Sequence, residues 1–165
     1  MIEETGVVIA FWVLAVTTVV NAFMVAAVRN LLHAVLFLVL TFIGLAGLFI
    51  TLSADFVAAA QILVYAGAVA VLMLFAIMLT PRAARDNADN EFGLPALALS
   101  GLVTAVIAFV ALDAGWRTRT PEDVTGTAAS IGDALLNPFV LPFEIASVVL
   151  VAAMVGAIAL VREEE

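Results

Sequence analysis

An all-α integral membrane protein with five transmembrane helices is predicted from the composition and the lengths of the apolar runs. Hydrophobic residues make up 65% of the 165-residue chain and charged residues 12%, and the mean hydropathy is +1.24. A helix needs about 20 apolar residues to cross a hydrocarbon core of about 30 Å. Five runs reach this length, at about 6–27, 31–52, 56–79, 94–113 and 139–161. They leave no room for a soluble domain, so residues 1–165 are predicted to form a single transmembrane domain.

The connections between the spans differ in length and character. Only a few polar residues separate the first three spans, around Arg29 and around Ser53, so these spans are expected to run as antiparallel neighbours. A charged loop follows the third span. The longest loop, residues 114–138, is predicted to contain short surface helices, because Thr120-Pro121 and Ser130 are typical of helix starts.

The arginines predict the orientation of the chain in the membrane. An odd number of spans places the two termini on opposite sides. One side would carry four arginines and the other side two; the larger group is Arg29, Arg82, Arg85 and Arg162, and the smaller is Arg117 and Arg119. By the positive-inside rule the amino terminus is therefore predicted outside and the carboxyl terminus inside.

Several kinds of chemistry are excluded by composition. The net charge is −8 and the chain contains no lysine, so no basic patch is available for nucleic acid. The absence of cysteine removes disulfides, thiol chemistry and iron–sulfur ligation. His33 is the only histidine, and it is expected to have a structural role because one histidine does not make an ordinary metal site. No bound cofactor or metal is expected on this chain.

The third span is the most informative segment, because it carries polar and flexible residues at mid-membrane depth. Tyr65 needs a hydrogen-bond partner there, and Gly67 removes side-chain bulk where a helix packs closely or deforms. Gln61 lies four residues before Tyr65 and shares its helix face. This pair indicates contact with water or a partner subunit, or hydrogen bonding to a neighbouring helix for packing alone. The spacing leaves both readings open.

Glu144 is an ionisable residue a few positions into the fifth span, after Pro138 and Pro142. Charged groups within a span are costly, which makes a functional role the default hypothesis. Ser147 and Val151 share its face and would flank a polar path. The alternative is a carboxylate near the outer headgroups, as is common at proline-bounded helix ends.

Three blocks of sequence resemble a known family. Residues 29–49, 55–79 and 141–161, with the strings LVYAGAV and LPFEIAS, are similar to subunit J of the proton-pumping NADH:quinone oxidoreductase, respiratory complex I. The mitochondrial counterpart is its subunit 6. The resemblance extends over four of the five spans, and the fourth span and the polar loops match in position and character only.

This resemblance implies a mechanism for the third helix. In the family, a π-bulge lies near the Tyr-Ala-Gly, and rotation of the helix is linked to opening a water-filled path between the quinone site and the antiporter-like subunits. By correspondence, Gly67 is the expected hinge and Tyr65 the gate or polar relay. We add Leu72 and Phe75 as an expected apolar plug. The residues Gln61, Tyr65 and Glu144 are the candidate polar groups of a proton path.

The resemblance also implies a place in a larger assembly. The chain would be a membrane-arm subunit that couples quinone reduction to proton translocation, with no catalytic residue and no redox group of its own. FMN, iron–sulfur clusters and quinone would be bound elsewhere in the complex. The expected partners are lipid and membrane subunits resembling A, H, K and N, which together form a hetero-oligomer. Its expected location is the bacterial inner (plasma) membrane.

Two other classes of function are considered. An autonomous transporter or channel would show a chain of ionisable residues or broken helices at the midplane with paired repeats, and the sequence shows neither. A membrane-bound hydrogenase, a multisubunit cation/proton antiporter or a purely structural subunit is not excluded by spacing. The Tyr-Ala-Gly and Pro-Phe-Glu strings together favour complex I.

Overall fold

The structure is a computed structural model that describes residues 2–80, 93–115 and 127–161, with side chains described from residue 5 onward. Within these residues every regular element is a helix. The helices are α1 (Ile2–Ala27), α2 (Leu31–Thr51), α3 (Asp55–Leu79), α4 (Gly93–Asp113), α5 (Thr127–Leu136) and α6 (Val140–Val161). All except α5 are long and apolar enough to cross a membrane. The predicted all-α class with five spans is confirmed, whereas the predicted sidedness of the termini stays a prediction.

Short, well-capped turns join the first three helices. Asn30 caps α2, since its side-chain oxygen accepts a hydrogen bond from the Leu32 N–H at 3.0 Å. At the other end of α2, Ser53 adopts a left-handed conformation with φ of 60°. Its N–H donates to the carbonyl oxygen of Ile50, and the Ala54 N–H donates to that of Phe49 at 2.9 Å. These two bonds form a Schellman motif, which satisfies the last carbonyls of α2 and lets α3 begin at once.

Contacts divide the chain into two compact units, Met1–Asp123 and Val124–Glu165. In the first unit α2 is central, because it packs against α1 and also against α3 along the length of that helix. Its buried residues are Ala34, Val35, Thr41 and Ala46. Among the described residues of this unit, α4 packs against none of α1, α2 and α3, and all its side chains are exposed.

The second unit consists of α5 packed against α6. The Phe139 N–H donates to the Ala134 carbonyl oxygen at 3.0 Å, which closes the turn between them. The helix predicted to start at Ser130 is already formed at Thr127, the first residue described after Gly115, so Ser130 is not its first residue. Ser130 is inside the helix, where its hydroxyl donates to the Thr127 carbonyl oxygen at 3.0 Å. The other predicted start, Thr120-Pro121, lies outside the described residues.

Candidate functional site

The candidate site is built around a change of hydrogen-bond register in α3. This helix is α-helical over Asp55–Ala60, π-helical over Gln61–Val69 and α-helical again over Ala70–Leu79. At the end of the π segment the Ala70 N–H donates to the carbonyl oxygen of Tyr65, five residues earlier. Most π-helical insertions are single-turn bulges, and they occur frequently at functional sites. A nine-residue π segment is therefore a long one.

The π segment aligns the two halves of α3 on α2. Ala58 is 3% exposed and Ala70 is 1% exposed, although they are separated by twelve residues. At about 100° per residue, twelve α-helical residues would place them about 120° apart around the axis. Absorbing one extra residue reduces this to about 20°. Because α2 is the described helix that packs on every part of α3, the insertion allows both alanines to face it.

Tyr65 lies within the π segment and contacts α2 through its ring. The ring centroids of Tyr65 and Phe42 are 5.6 Å apart with an interplanar angle of 64°, an edge-to-face arrangement. The Tyr65 side chain is about half exposed, at 49%. Its hydroxyl makes no hydrogen bond within the described parts of the chain, so its contact with α2 is made by the ring.

Gln61 opens the π segment and is a buried polar residue, at 8% exposure. Its backbone N–H still bonds in the preceding register, to the carbonyl oxygens of Val57 and Ala58. The side-chain amide has no hydrogen-bond partner in residues 2–80, 93–115 and 127–161. Gln61 and Tyr65 therefore share a segment and a neighbouring helix, but they do not hydrogen-bond to each other.

Gly67 lies at the middle of the π segment and contacts its own helix rather than a neighbour. A Cβ atom at Gly67 would lie 3.3 Å from the carbonyl oxygen of Ile62, which is five residues earlier in the chain. No other atom outside the local backbone would lie within 4 Å of it. A side chain here would crowd the backbone oxygen opposite it in the π register, so the glycine serves helix geometry rather than helix–helix packing.

Leu72 and Phe75 lie on the side of α3 that is turned away from α2. Their side chains are 68% and 55% exposed, whereas Ala70 on the α2 side is buried. The structure does not bring these two residues together with Tyr65 and Gln61. Their expected role as an apolar plug stays a prediction.

Glu144 belongs to the second unit, whereas the other site residues belong to the first. It lies in the second turn of α6, and its side chain is exposed. The Ser147 hydroxyl donates to the backbone carbonyl oxygen of Glu144 at 2.7 Å. The carboxylate itself has no ion pair or hydrogen bond with any residue that the structure describes.

Sequence reasoning missed Thr18, a polar residue of α1 that is buried where α1 packs against α2. Thr18 is 7% exposed, and its hydroxyl oxygen is buried with no hydrogen-bond partner among the described residues. A Cβ atom at Gly44 would clash with this oxygen. The Cα hydrogen of Gly44 that a side chain would replace therefore points at the oxygen, as in a Cα–H···O contact. The adjacent Thr17 instead donates to its own helix, to Val13 O at 2.8 Å.

The described residues contain no group of three or more histidine, cysteine, aspartate or glutamate side chains that would hold a metal ion. The fold and the site together define a multi-pass helical membrane protein whose distinctive internal feature is a π-helical third span. The chain belongs to the family described as NADH-ubiquinone/plastoquinone oxidoreductase chain 6, whose model matches residues 21–160. The resemblance seen in the Tyr-Ala-Gly and Pro-Phe-Glu strings is thereby confirmed.

Individual relatives are similar at about the same level. A protein of Nostoc sp. named NAD(P)H-quinone oxidoreductase chain 6 is 42% identical over 123 residues, covering 68% of this chain and 58% of the relative. The protein of the same name from Synechocystis sp. is 43% identical over 120 residues, covering 68% and 59%. The chloroplastic subunit 6 of Nephroselmis olivacea is 44% identical over 117 residues, covering 68% of each chain. The chain therefore spans less than two thirds of the two cyanobacterial relatives.

Proposed function

We propose that this chain is a membrane-arm subunit of an NADH:quinone oxidoreductase, and that a register change in α3 couples quinone reduction to proton translocation. Membership of the family and the names of the relatives support the assembly. The observation that carries the mechanism is the burial of Ala58 and Ala70 on one side of α3, which requires the π segment between them. A helix held in this register has a second, α-helical arrangement available.

The register change would rotate one half of α3 against the other. Conversion of the π segment to α-helix eliminates the one-residue insertion in the hydrogen-bond register. The two halves of α3 then turn by about 100° relative to each other. If Ala58 stays against α2, Ala70 turns away from it. In a continuous α-helix Val69, eleven residues after Ala58, would then lie within about 20° of the α2 side, and Leu72, fourteen residues after it, within about 40°. A valine flanked by a leucine would replace an alanine against α2, and Phe75 would move with them.

The same rotation would change what the polar residues contact. Gln61 is buried beside α2 in the π register, and its amide is without a hydrogen-bond donor or acceptor in the described chain. With Ala58 held against α2, the change of register would shift the residues after Gln61, including Tyr65, and so change what packs beside the Gln61 amide. The proposed gate therefore consists of Gln61 and Tyr65, with Gly67 as the hinge.

In this proposal the chain carries no redox group. Electrons would pass through FMN, iron–sulfur clusters and quinone on other subunits, and membrane subunits resembling A, H, K and N would surround the spans. The location would be a bacterial inner membrane, as a multi-pass subunit. The lack of cysteine supports a non-redox role, since iron–sulfur clusters are held by cysteine thiolates.

A glycine substitution tests the mechanism. Gly67→Ala and the larger Gly67→Val crowd the Ile62 carbonyl oxygen in the π register and favour the α register. We expect full assembly of the complex with fewer protons pumped per quinone reduced, and a larger loss for valine. The matched control is Gly101→Ala, because Gly101 is a mid-helix glycine with nothing within 4 Å of an added Cβ. Normal pumping by assembled Gly67→Val complex would contradict the proposal.

A further inference from the structure

Glu144 is a charged side chain inside a described span, and no described side chain compensates its charge. Glu144 is the only charged residue in Val140–Val161, and it lies four residues, about 6 Å, after the first residue of that helix. Its exposed neighbours Leu141, Phe143 and Ile145 are apolar. A carboxylate in such a setting is costly, and charged groups inside spans almost always pair with one another or with backbone groups.

The unit that contains Glu144 has no basic residue near it in the sequence. In residues 124–165 the only basic residue is Arg162, which follows Val161 in the sequence, and Val161 lies seventeen residues, about 26 Å, beyond Glu144 along α6. Ser147 is on the same face, but its hydroxyl donates to the backbone oxygen of Glu144 rather than to the carboxylate. A compensating group must therefore come from outside this unit.

The helix face around Glu144 is suited to packing against another helix. Four further residues continue this face at intervals of three and four, and together they form the Glu144 face: Glu144, Val148, Val151, Val155 and Ile158. The four apolar members are exposed, between 60% and 66%, as is every other residue of α6, so the position of Glu144 and not exposure singles out this face. β-branched side chains have few rotamers, so they lose little conformational entropy when a partner covers them. The face is a rigid apolar ridge with one carboxylate near its end.

We propose that the Glu144 face binds a transmembrane helix of another subunit that presents a lysine or arginine at the depth of Glu144. Charge complementarity identifies this occupant, because an acyl chain covers the valines but leaves the carboxylate uncompensated. The alternative environment for the carboxylate is the lipid headgroup region. Glu144 lies near the amino-terminal end of α6, and side chains on a helix lean toward that end. The inference rests on membership of a membrane complex and not on any movement of α3.

Photo-crosslinking in the intact complex tests the occupant. A photoreactive amino acid is placed at Val151, on the Glu144 face, and as a matched control at Ala153, which is about 160° away around α6. We expect the Val151 position to capture a transmembrane peptide of another subunit that contains lysine or arginine, and Ala153 not to capture that peptide. Capture of lipid alone, of a span without a basic residue, or of residues 114–126 of this chain would overturn the proposal.

A charge exchange tests the pairing itself. Glu144→Lys is expected to lower the amount of assembled complex by about tenfold or more, because it places two cations together. Replacing the partner's captured lysine or arginine with glutamate should restore assembly in the double variant. Absence of rescue would overturn the pairing, as would a Glu144→Gln variant that assembles to the normal level, because a neutral amide would then suffice.

Discussion

The two interfaces of α2 are built differently, although both use small residues. Against α1, Gly44 lies so close to Thr18 that a Cβ atom would clash with the hydroxyl oxygen, and a Cβ at Gly47 would lie 3.0 Å from Leu14 Cδ1. In α3, the buried residues are Ala58, Ala70 and Gln61, and the ring of Tyr65 meets Phe42 of α2 edge to face at 5.6 Å. Glycine sets the distance between helices in the first interface and the register within one helix in the second.

This difference suggests a division of labour within the first unit. The α1–α2 pair interlocks side chain against backbone, and such close-packed contacts have little freedom to slide. The α2–α3 interface instead depends on a π segment that has an alternative register. In the proposed mechanism α1 and α2 form a fixed support, and α3 is the element that turns against it.

The largest effect is expected from adding a side chain at Gly44, where the contact with Thr18 leaves no room for one. Gly44→Val places a branched side chain against Thr18, and overpacking of this kind typically costs about 1–3 kcal/mol, occasionally more. We expect loss of most of the assembled complex, measured by native gel electrophoresis of solubilised membranes. Gly44→Ala should be milder, and adding Thr18→Ala should rescue it in part by removing the clashing oxygen. A Gly44→Val complex that assembles normally would show that α1 and α2 are not interlocked.

A smaller effect is expected at the aromatic contact of the α2–α3 interface. Tyr65→Ala removes the edge-to-face contact with Phe42, worth about 0.5–1.5 kcal/mol beyond its buried area. Tyr65→Phe keeps the ring and removes only the hydroxyl. If the hydroxyl is a polar relay, Tyr65→Phe should assemble fully and still lower the proton yield per quinone, measured in sealed vesicles. Equal proton yields for Tyr65→Phe and the unmodified chain would confine Tyr65 to packing.

The smallest effect on stability is expected at Gly47. The atom that an added Cβ would meet there is the end of the flexible Leu14 side chain, which has other rotamers available. Gly47→Ala should therefore lower the melting temperature of the complex by less than Gly44→Ala does. Thermal denaturation of the two variants side by side measures the difference. An equal or larger loss for Gly47→Ala would reverse the order of the two contacts.

Hydropathy was sufficient to predict the spans, and the predicted limits agree closely with the helices. The short polar connections at Arg29 and Ser53 also predicted α1, α2 and α3 as neighbours, and the structure packs them in that order. These features depend on the average composition of many residues, so a shift of one residue along the helix does not alter them.

Which residues face each other was much less predictable. Thr17 and Thr18 are adjacent threonines, and only the contact with Gly44 identifies Thr18 as the buried one. Ala58 and Ala70 are not separated by an α-helical interval, and α3 contains many other alanines, so their alignment gave no usable signal. Side-chain size alone points to Leu72 and Phe75, whereas their exposure depends on the register of the π segment.

The structure of the whole complex, determined by electron cryomicroscopy at rest and during turnover, tests the central claim most directly. The quantity to read is the hydrogen-bond register over Gln61–Val69 and the residue of α3 that contacts α2. The account predicts a π segment with Ala70 against α2 in one state, and a continuous α-helix with Val69 in its place, flanked by Leu72, in the other. The same π register with Ala70 against α2 in both states would contradict it.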